Sequence, residues 1–166
     1  WQGVQSRDLT NISLTDAWIR DANYAIHYPG GGAGDSNFPA LSSESSHYIN
    51  NYYGIKSEGK FVNFLAFSGN EMKGTHVAPE TEICDCDAVN AIDFREVNPL
   101  LTIKINAPSN DPNTIFNYEK GFNFVNTKLH VRGFDIYSLR DFGPIPSPFP
   151  PDHNNGPGPD DAAIGI

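Results

Sequence analysis

The sequence predicts an all-β protein with an Ig-like, Greek-key sandwich. Three observations lead to this prediction: short apolar segments of strand length, turn residues between them, and few charges beside many aromatic residues. Charged residues make up 19% of the chain and aromatic residues 12%, which is typical of a globular domain. The Cys-Trp-Cys signature of antibody domains is absent, so the prediction concerns architecture only.

A chain of 166 residues fits one domain with a sizeable core. No internal repeat and no interior domain boundary are evident. We predict an N-terminal extension over residues 1–14, a sandwich domain over 15–143 and a Pro/Gly-rich tail over 144–166.

The first predicted strand lies in a region that also fits a helix. Residues 13–16 fit a capping box, and apolar residues then recur at helical spacing until Pro29 and the glycines that follow. An alternating pattern is present as well, with Trp18, Tyr24 and Tyr28 on one face. The aromatic content and the β character of the remaining chain favour the strand.

Later segments predict strands more directly. Residues 61–67 form an aromatic, mostly apolar run that ends at turn residues, and residues 101–107 alternate between apolar and polar side chains. Two further strands are expected over 122–131 and 134–139. The intervening Arg132-Gly133 is typical of a tight hairpin connection.

Charge and hydropathy exclude several classes of partner. A net charge of −9 and a pI near 4.8 argue against binding to nucleic acid and to anionic membranes. The apolar runs are too short for membrane insertion. The chain starts at Trp1, which a cleaved secretion signal would explain, so we expect an extracellular protein. The sequon at Asn11 predicts a glycosylation site in that setting.

No motif in the sequence predicts an enzyme, a cofactor or a metal site. Cys84 and Cys86 are candidates for a local disulfide. The alternative is a metal site that the two cysteines share with His76, Glu80 or Glu82. Zinc sites normally have a second Cys/His pair, which is absent from this sequence. The nearby carboxylates fit neither an EF-hand nor a defined glycosidase pair, and no HExxH, GxSxG or phosphate-loop motif occurs.

The N-terminal segment suggests a structural function. Residues 3–14 are extended and polar, with Val4, Leu9, Ile12 and Leu14 as the apolar side chains. Together with the predicted Ig-like domain, this segment resembles the subunits of secreted bacterial pilus-like fibrils assembled by donor-strand exchange. The resemblance implies a helical homopolymer of identical subunits, in which these four side chains enter the groove of another subunit. Leu9 has the opposite parity to the other three, so Ser6, Asp8 and Thr10 would face the pockets.

The alternative function is a carbohydrate-binding, lectin-like module of a secreted protein. Tyr48, Tyr52 and Tyr53 lie close together beside two asparagines. Exposed tyrosine rings stack on sugars, and asparagines bond to sugar hydroxyls. Ordinary strand or core positions are nevertheless the favoured interpretation of this cluster. The shape of the particle, a filament or a monomer near 18 kDa, separates the two functions.

Overall fold

Every strand pair in the described part of the chain is parallel. A computed structural model describes residues 2–6, 10–30, 38–74, 88–98 and 100–137. These residues form strands, turns and bends. The prediction of an all-β protein is confirmed, as is the choice of strand over helix for the segment with Trp18 and Tyr28. No helix long and apolar enough to cross a membrane occurs in the described residues.

The strands are short, and all but one contain three to six residues. They are β1 Val4–Gln5, β2 Ile12–Thr15, β3 Trp18–Arg20, β4 Tyr24–Tyr28, β5 Ala40–Glu44, β6 His47–Ile49, β7 Tyr53–Glu58, β8 Asn63–Ser68, β9 Glu71–Lys73, β10 Asn90–Arg95, β11 Thr102–Asn106, β12 Asn113–Phe116, β13 Lys120–Val125, β14 Lys128–Arg132 and β15 Phe134–Tyr137.

Three consecutive strands make one turn of a coil. Strands β2, β3 and β4 lie in three different sheets, and β5, β6 and β7 return to the same sheets in the same order. Sheet A has the order β1-β4-β7-β10-β13, sheet B β2-β5-β8, sheet C β15-β12-β9-β6-β3, and sheet D β11-β14. Because β11 contacts β8, sheet D continues the side of sheet B. The chain is a three-sided parallel β-solenoid.

Residues with left-handed backbone form the corners and stack from turn to turn. At the corner after sheet B these are Asp16 (φ 50°), Ser45 (φ 50°) and Gly69 (φ 61°). The amide of Asp16 donates to the carbonyl of Glu44 at 3.1 Å, and the amide of Ser45 donates to the carbonyl of Ser68 at 3.0 Å. Each corner therefore bonds to the next turn, at positions where glycine and small polar residues are the usual choice.

Inside this corner, two asparagines and two serines form a buried hydrogen-bond ladder. Asn70 Oδ1 accepts from the amide of Ser46 at 3.1 Å and from the hydroxyl of Ser43 at 2.8 Å. Asn70 Nδ2 donates to the Ser43 carbonyl and to Asn113 Oδ1, both at 2.9 Å. Asn113 Nδ2 donates to the Phe67 carbonyl at 2.9 Å. The ladder satisfies backbone groups that lie out of reach of water.

The core runs along the axis of the coil. Within it, columns of like side chains come from successive turns, such as Ile26, Ile55 and Ile92 from sheet A. Tyr48 is fully buried, and its hydroxyl lies 2.5 Å from Ser43 Oγ. Such stacking makes each turn depend on its neighbours for burial of its apolar side chains.

The finer prediction, an Ig-like Greek-key sandwich, is not confirmed, because Ig-like sandwiches consist of antiparallel strands. The hairpin predicted at Arg132-Gly133 is also wrong. Strand β14 pairs with β11 and β15 pairs with β12, so the two neighbours in sequence lie in different sheets. Gly133 (φ 75°) turns a corner there, where a Cβ would lie 2.3 Å from the carbonyl oxygen of Ala107.

Candidate functional site

The outward side chains of sheet C form two columns along the coil. The strand register gives the first column as Trp18, His47, Glu71, Thr114 and Asp135. The second column is Arg20, Ile49, Lys73, Phe116 and Tyr137. Between them lies an inward column, of which Ile19, Tyr48, Met72 and Ile115 are buried. We call the two outward columns together the aromatic face.

Trp18 is the most prominent group of this face. Its side chain belongs to the edge strand of sheet C and is 63% exposed. One side of the indole stacks on the ring of His47, with ring centroids 4.1 Å apart and an angle of 23° between the planes. His47 Nδ1 lies 2.9 Å from Glu71 Oε2. Glu71 therefore orients His47, and His47 holds the indole in place with much of its surface open to a ligand.

A second aromatic group lies at the far edge of the same face. Tyr137, in the last strand of sheet C, is 51% exposed, and Phe116 beside it lies under the ammonium group of Lys73 at 5.9 Å. Four strand spacings separate Trp18 from this edge, which is roughly 19 Å at about 4.8 Å per spacing. Polar side chains, including Glu71 and Thr114, lie on the strands between the two edges.

Sheet A carries a different cluster, with charged groups on its outward side. Lys56 Nζ lies 2.7 Å from Glu58 Oε1 and 5.2 Å and 4.6 Å from the ring centroids of Tyr24 and Tyr53. Burial opposes the charge of Lys56, but the hydrogen bond and the charge of Glu58, together with Tyr53 and Tyr24, outweigh burial and raise the lysine pKa. The same bond holds the pKa of Glu58 below its usual value. His27 is buried, which lowers its pKa, although Glu58 lies 4.0 Å away.

The carboxylate of Asp93 belongs to the same cluster, and both of its oxygens accept hydrogen bonds. Its side chain has no exposed surface. Arg95 Nε lies 3.0 and 3.2 Å from the two carboxylate oxygens, and Asn123 Nδ2 donates to Oδ1 at 3.0 Å. The hydrogen bond to Asp93 raises the pKa of Arg95. The described residues contain no group of three His, Cys, Asp or Glu side chains able to hold a metal.

The predicted donor segment lies within the coil of its own chain. Val4 pairs with Ile26 in sheet A and packs against the core. Ile12 is buried, and Leu14, in the same strand, packs against the core. Strand β2 crosses the predicted boundary at residue 14. Leu9 and Trp1 lie outside the described residues.

The three tyrosines of the predicted sugar platform do not form one surface. Tyr48 points into the core and is fully buried, so its ring is closed to a ligand. Tyr52 and Tyr53 are partly buried and meet edge to face at 4.9 Å. Tyr53 also stacks on Tyr24, with centroids 5.4 Å apart.

The remaining predicted sites are one exposed asparagine and two cysteines. Asn11 is exposed, and its Oδ1 accepts from the amide of Ala40 at 3.0 Å. Cys84 and Cys86 lie outside the described residues, as do His76, Glu80 and Glu82.

Sequence reasoning missed the aromatic face because its residues come from separate turns of unequal length. Asn51 bonds to a residue 29 positions away, His47 to one 24 away and Asn70 to one 43 away. A fixed-period search does not detect such a repeat. The usable signal is the recurrence of short alternating strands, many of them followed by Asp, Ser, Asn or Gly, as at Asp16, Ser45 and Gly69.

Comparison of the chain with protein-family models, with curated proteins and with solved structures gives no match.

Proposed function

We propose that this protein binds a carbohydrate polymer along the aromatic face. The observation that carries the proposal is the exposed indole of Trp18, stacked on His47 and held there through Glu71. Sugar rings have an apolar side that stacks on aromatic rings, and their hydroxyl groups bond to polar side chains. A face about 19 Å long, with aromatic rings at both edges and polar groups between them, suits several consecutive sugar units.

Stacking on Trp18 would supply a large part of the affinity. If a sugar covers roughly 100 Å² of the indole, burial at about 25 cal/mol per Å² contributes about 2.5 kcal/mol. That free energy corresponds to roughly a 70-fold change in the dissociation constant. The ring is already fixed by His47, so little conformational entropy is lost when the sugar binds.

We propose binding without catalysis. The carboxylates on the outside of sheet A are bound by cations: Asp93 by Arg95, and Glu58 by Lys56. General acid–base catalysis on a sugar needs a carboxyl group with a raised pKa, whereas the pKa of Glu58 is lowered.

The test measures binding to cellulose, chitin and xylan particles and compares Trp18→Ala with Leu65→Ala. Leu65 is 67% exposed, like Trp18, but lies on sheet B, so it controls for loss of an exposed apolar side chain. We expect binding to at least one polysaccharide, a loss of tenfold or more with Trp18→Ala, and no change with Leu65→Ala. Equal binding by both variants, or binding to none of the polysaccharides by the parent protein, would refute the proposal.

A fluorescence measurement checks the same contact directly. The chain has two tryptophans, so Trp1→Phe leaves Trp18 as the one indole reporter. Adding an oligosaccharide of the bound polymer should change the intensity or wavelength of its emission in a saturable way. An unchanged spectrum at saturating ligand would show that the sugar binds elsewhere.

We also propose, as a second candidate function, an extracellular fibre of identical subunits. The observation that favours it is the pair of open ends of the coil. In the described residues, β2 and β3 at one end and β13, β14 and β15 at the other each pair with one strand only. Such edges can pair with the edge strands of another copy, head to tail. Donor-strand exchange would instead require Val4 and Ile12 to leave their places in the coil.

Deletion of residues 1–6 separates the two modes of assembly. This deletion removes β1 and part of the predicted donor segment but leaves β2 in place. End-to-end pairing predicts that filaments persist in electron micrographs, whereas donor-strand exchange predicts that they are lost. A monomer near 18 kDa for the full chain at all concentrations would refute both modes.

A further inference from the structure

Most of the described lysines and arginines outside sheet D lie beside a carboxylate of the same chain. Lys56, Arg95, Lys120 and Arg20 each lie within 4.0 Å of a carboxylate. Lys73 lies over the ring of Phe116, and Lys60 also has an interaction partner.

The three others are Lys104, Lys128 and Arg132, for which the described part of the chain supplies no carboxylate partner. They lie on the two adjacent strands of sheet D, β11 and β14.

The strand register brings these cations together on the outward side of the sheet. Lys104 is directly opposite His130, and Asn106 is opposite Arg132. Lys128 follows the same alternation along β14, and all five side chains are exposed. The inward residues of β11 between them, Ile103 and Ile105, are fully buried. The result is a basic strip on a chain with a net charge of −9.

A cleft adjoins the strip at the end of β11. It has a volume of about 530 Å³ and is lined by Asn106, Ser109 and Asn110 together with His130 and Arg132. These side chains can donate hydrogen bonds from amide, hydroxyl, imidazole and guanidinium groups. A guanidinium group beside neutral donors is a favourable arrangement for binding a carboxylate or sulfate group.

We infer that the basic strip binds an anionic polysaccharide, with a carboxylate or sulfate group of the polymer in the cleft beside Arg132. The inference rests on the proposed function in one respect, that the polymer is a carbohydrate, and it adds the charge class of that polymer. Cations spaced along two strands match an anion repeated along a chain better than a single small anion. The negative net charge elsewhere disfavours binding outside the strip.

The experiment measures the dissociation constants for polygalacturonate, which carries carboxylates, dextran sulfate, which carries sulfates, and neutral dextran. It compares the parent with Lys128→Gln/Arg132→Gln. Lys60→Gln/Lys120→Gln changes the net charge equally but lies outside sheet D, so it controls for general electrostatics. We expect binding to at least one anionic polymer, weakening with added salt, and a loss of tenfold or more with the strip variant alone. The anion that binds more tightly identifies the group that the cleft accepts.

Several outcomes would overturn the inference. The first is failure of the parent protein to bind either anionic polymer. The second is an equal loss of affinity in the two double variants. The third is a dissociation constant for neutral dextran equal to that for the anionic polymers. The Trp18→Ala variant keeps the two proposals distinguishable. Trp18→Ala is therefore measured on the same anionic polymers. Loss of their binding with Trp18→Ala but not with the strip variant removes this inference alone, whereas the reverse result removes the aromatic face and retains the strip.

Discussion

The asparagine ladder at the corner after sheet B provides the sharpest test of the solenoid. Replacing Asn70 by alanine removes four side-chain hydrogen bonds: two accepted by Oδ1, from Ser46 and Ser43, and two donated by Nδ2, to Ser43 and Asn113. At about 1 kcal/mol for each bond, the expected loss is about 4 kcal/mol. Proteins have a free energy of unfolding of about 5–15 kcal/mol, so the variant should be close to the limit of stability.

Urea unfolding of Asn70→Ala measures this loss, with Asn106→Ala as the matched control. Asn106 is exposed on β11, and its side chain has no hydrogen bond in the described part of the chain, so its replacement should change the stability by less than about 0.5 kcal/mol. Amide exchange at Ser46 gives a local check, because this amide donates to Asn70 Oδ1. A loss below about 1 kcal/mol, or one equal to that of Asn106→Ala, would refute the proposed role of the ladder.

Three further predictions concern sheet A. Gly54→Ala should destabilise the protein by more than about 1 kcal/mol in urea unfolding, because the added Cβ would lie 2.4 Å from the carbonyl oxygen of Ala91. Unchanged stability would contradict the close approach of these two neighbouring turns. Asp93→Ala should cost about 2 kcal/mol or more through its lost hydrogen bonds to Arg95 and Asn123, and a thermal midpoint equal to that of the parent would argue against it. Burial lowers the pKa of His27 in the folded protein, so on acidification His27 is protonated at a higher pH in the unfolded chain than in the folded one. The free energy of unfolding should therefore fall as the pH drops below about 6.5, and it should level off below the pKa of His27 in the folded protein. Urea midpoints between pH 7.5 and 5.5 should fall less in His27→Gln than in the parent, and an equal fall would exclude His27 as a cause.

The alternating pattern of single strands could be predicted from the sequence. Residues 101–107 alternate in sequence, and the structure has β11 Thr102–Asn106 with Ile103 and Ile105 buried and the side chains between them exposed. Likewise the apolar run over 61–67 corresponds to β8 Asn63–Ser68. Alternation is a local property, since successive side chains of any strand point to opposite sides.

The pairing of the strands could not be predicted in this way. A strand that ends in a turn residue can form a hairpin with the next strand or turn a corner into another sheet, and the residues preferred at both places overlap. Gly133 shows the ambiguity: the sequence pattern around it predicts a hairpin, whereas in the structure Gly133 turns the corner from β14 to β15. The pairing partner lies a whole turn away, and the turns differ in length.

The candidate sites depend on this pairing. The sequence by itself determined the β class, the acidic net charge and the positions of single strands such as β8 and β11, because each follows from composition or from side chains close together in the chain. Only the tertiary structure placed Trp18 on His47 and grouped Lys104, Lys128 and Arg132 on one strip. The physical reason is that parallel stacking of successive turns brings residues together by register, and register depends on contacts between turns.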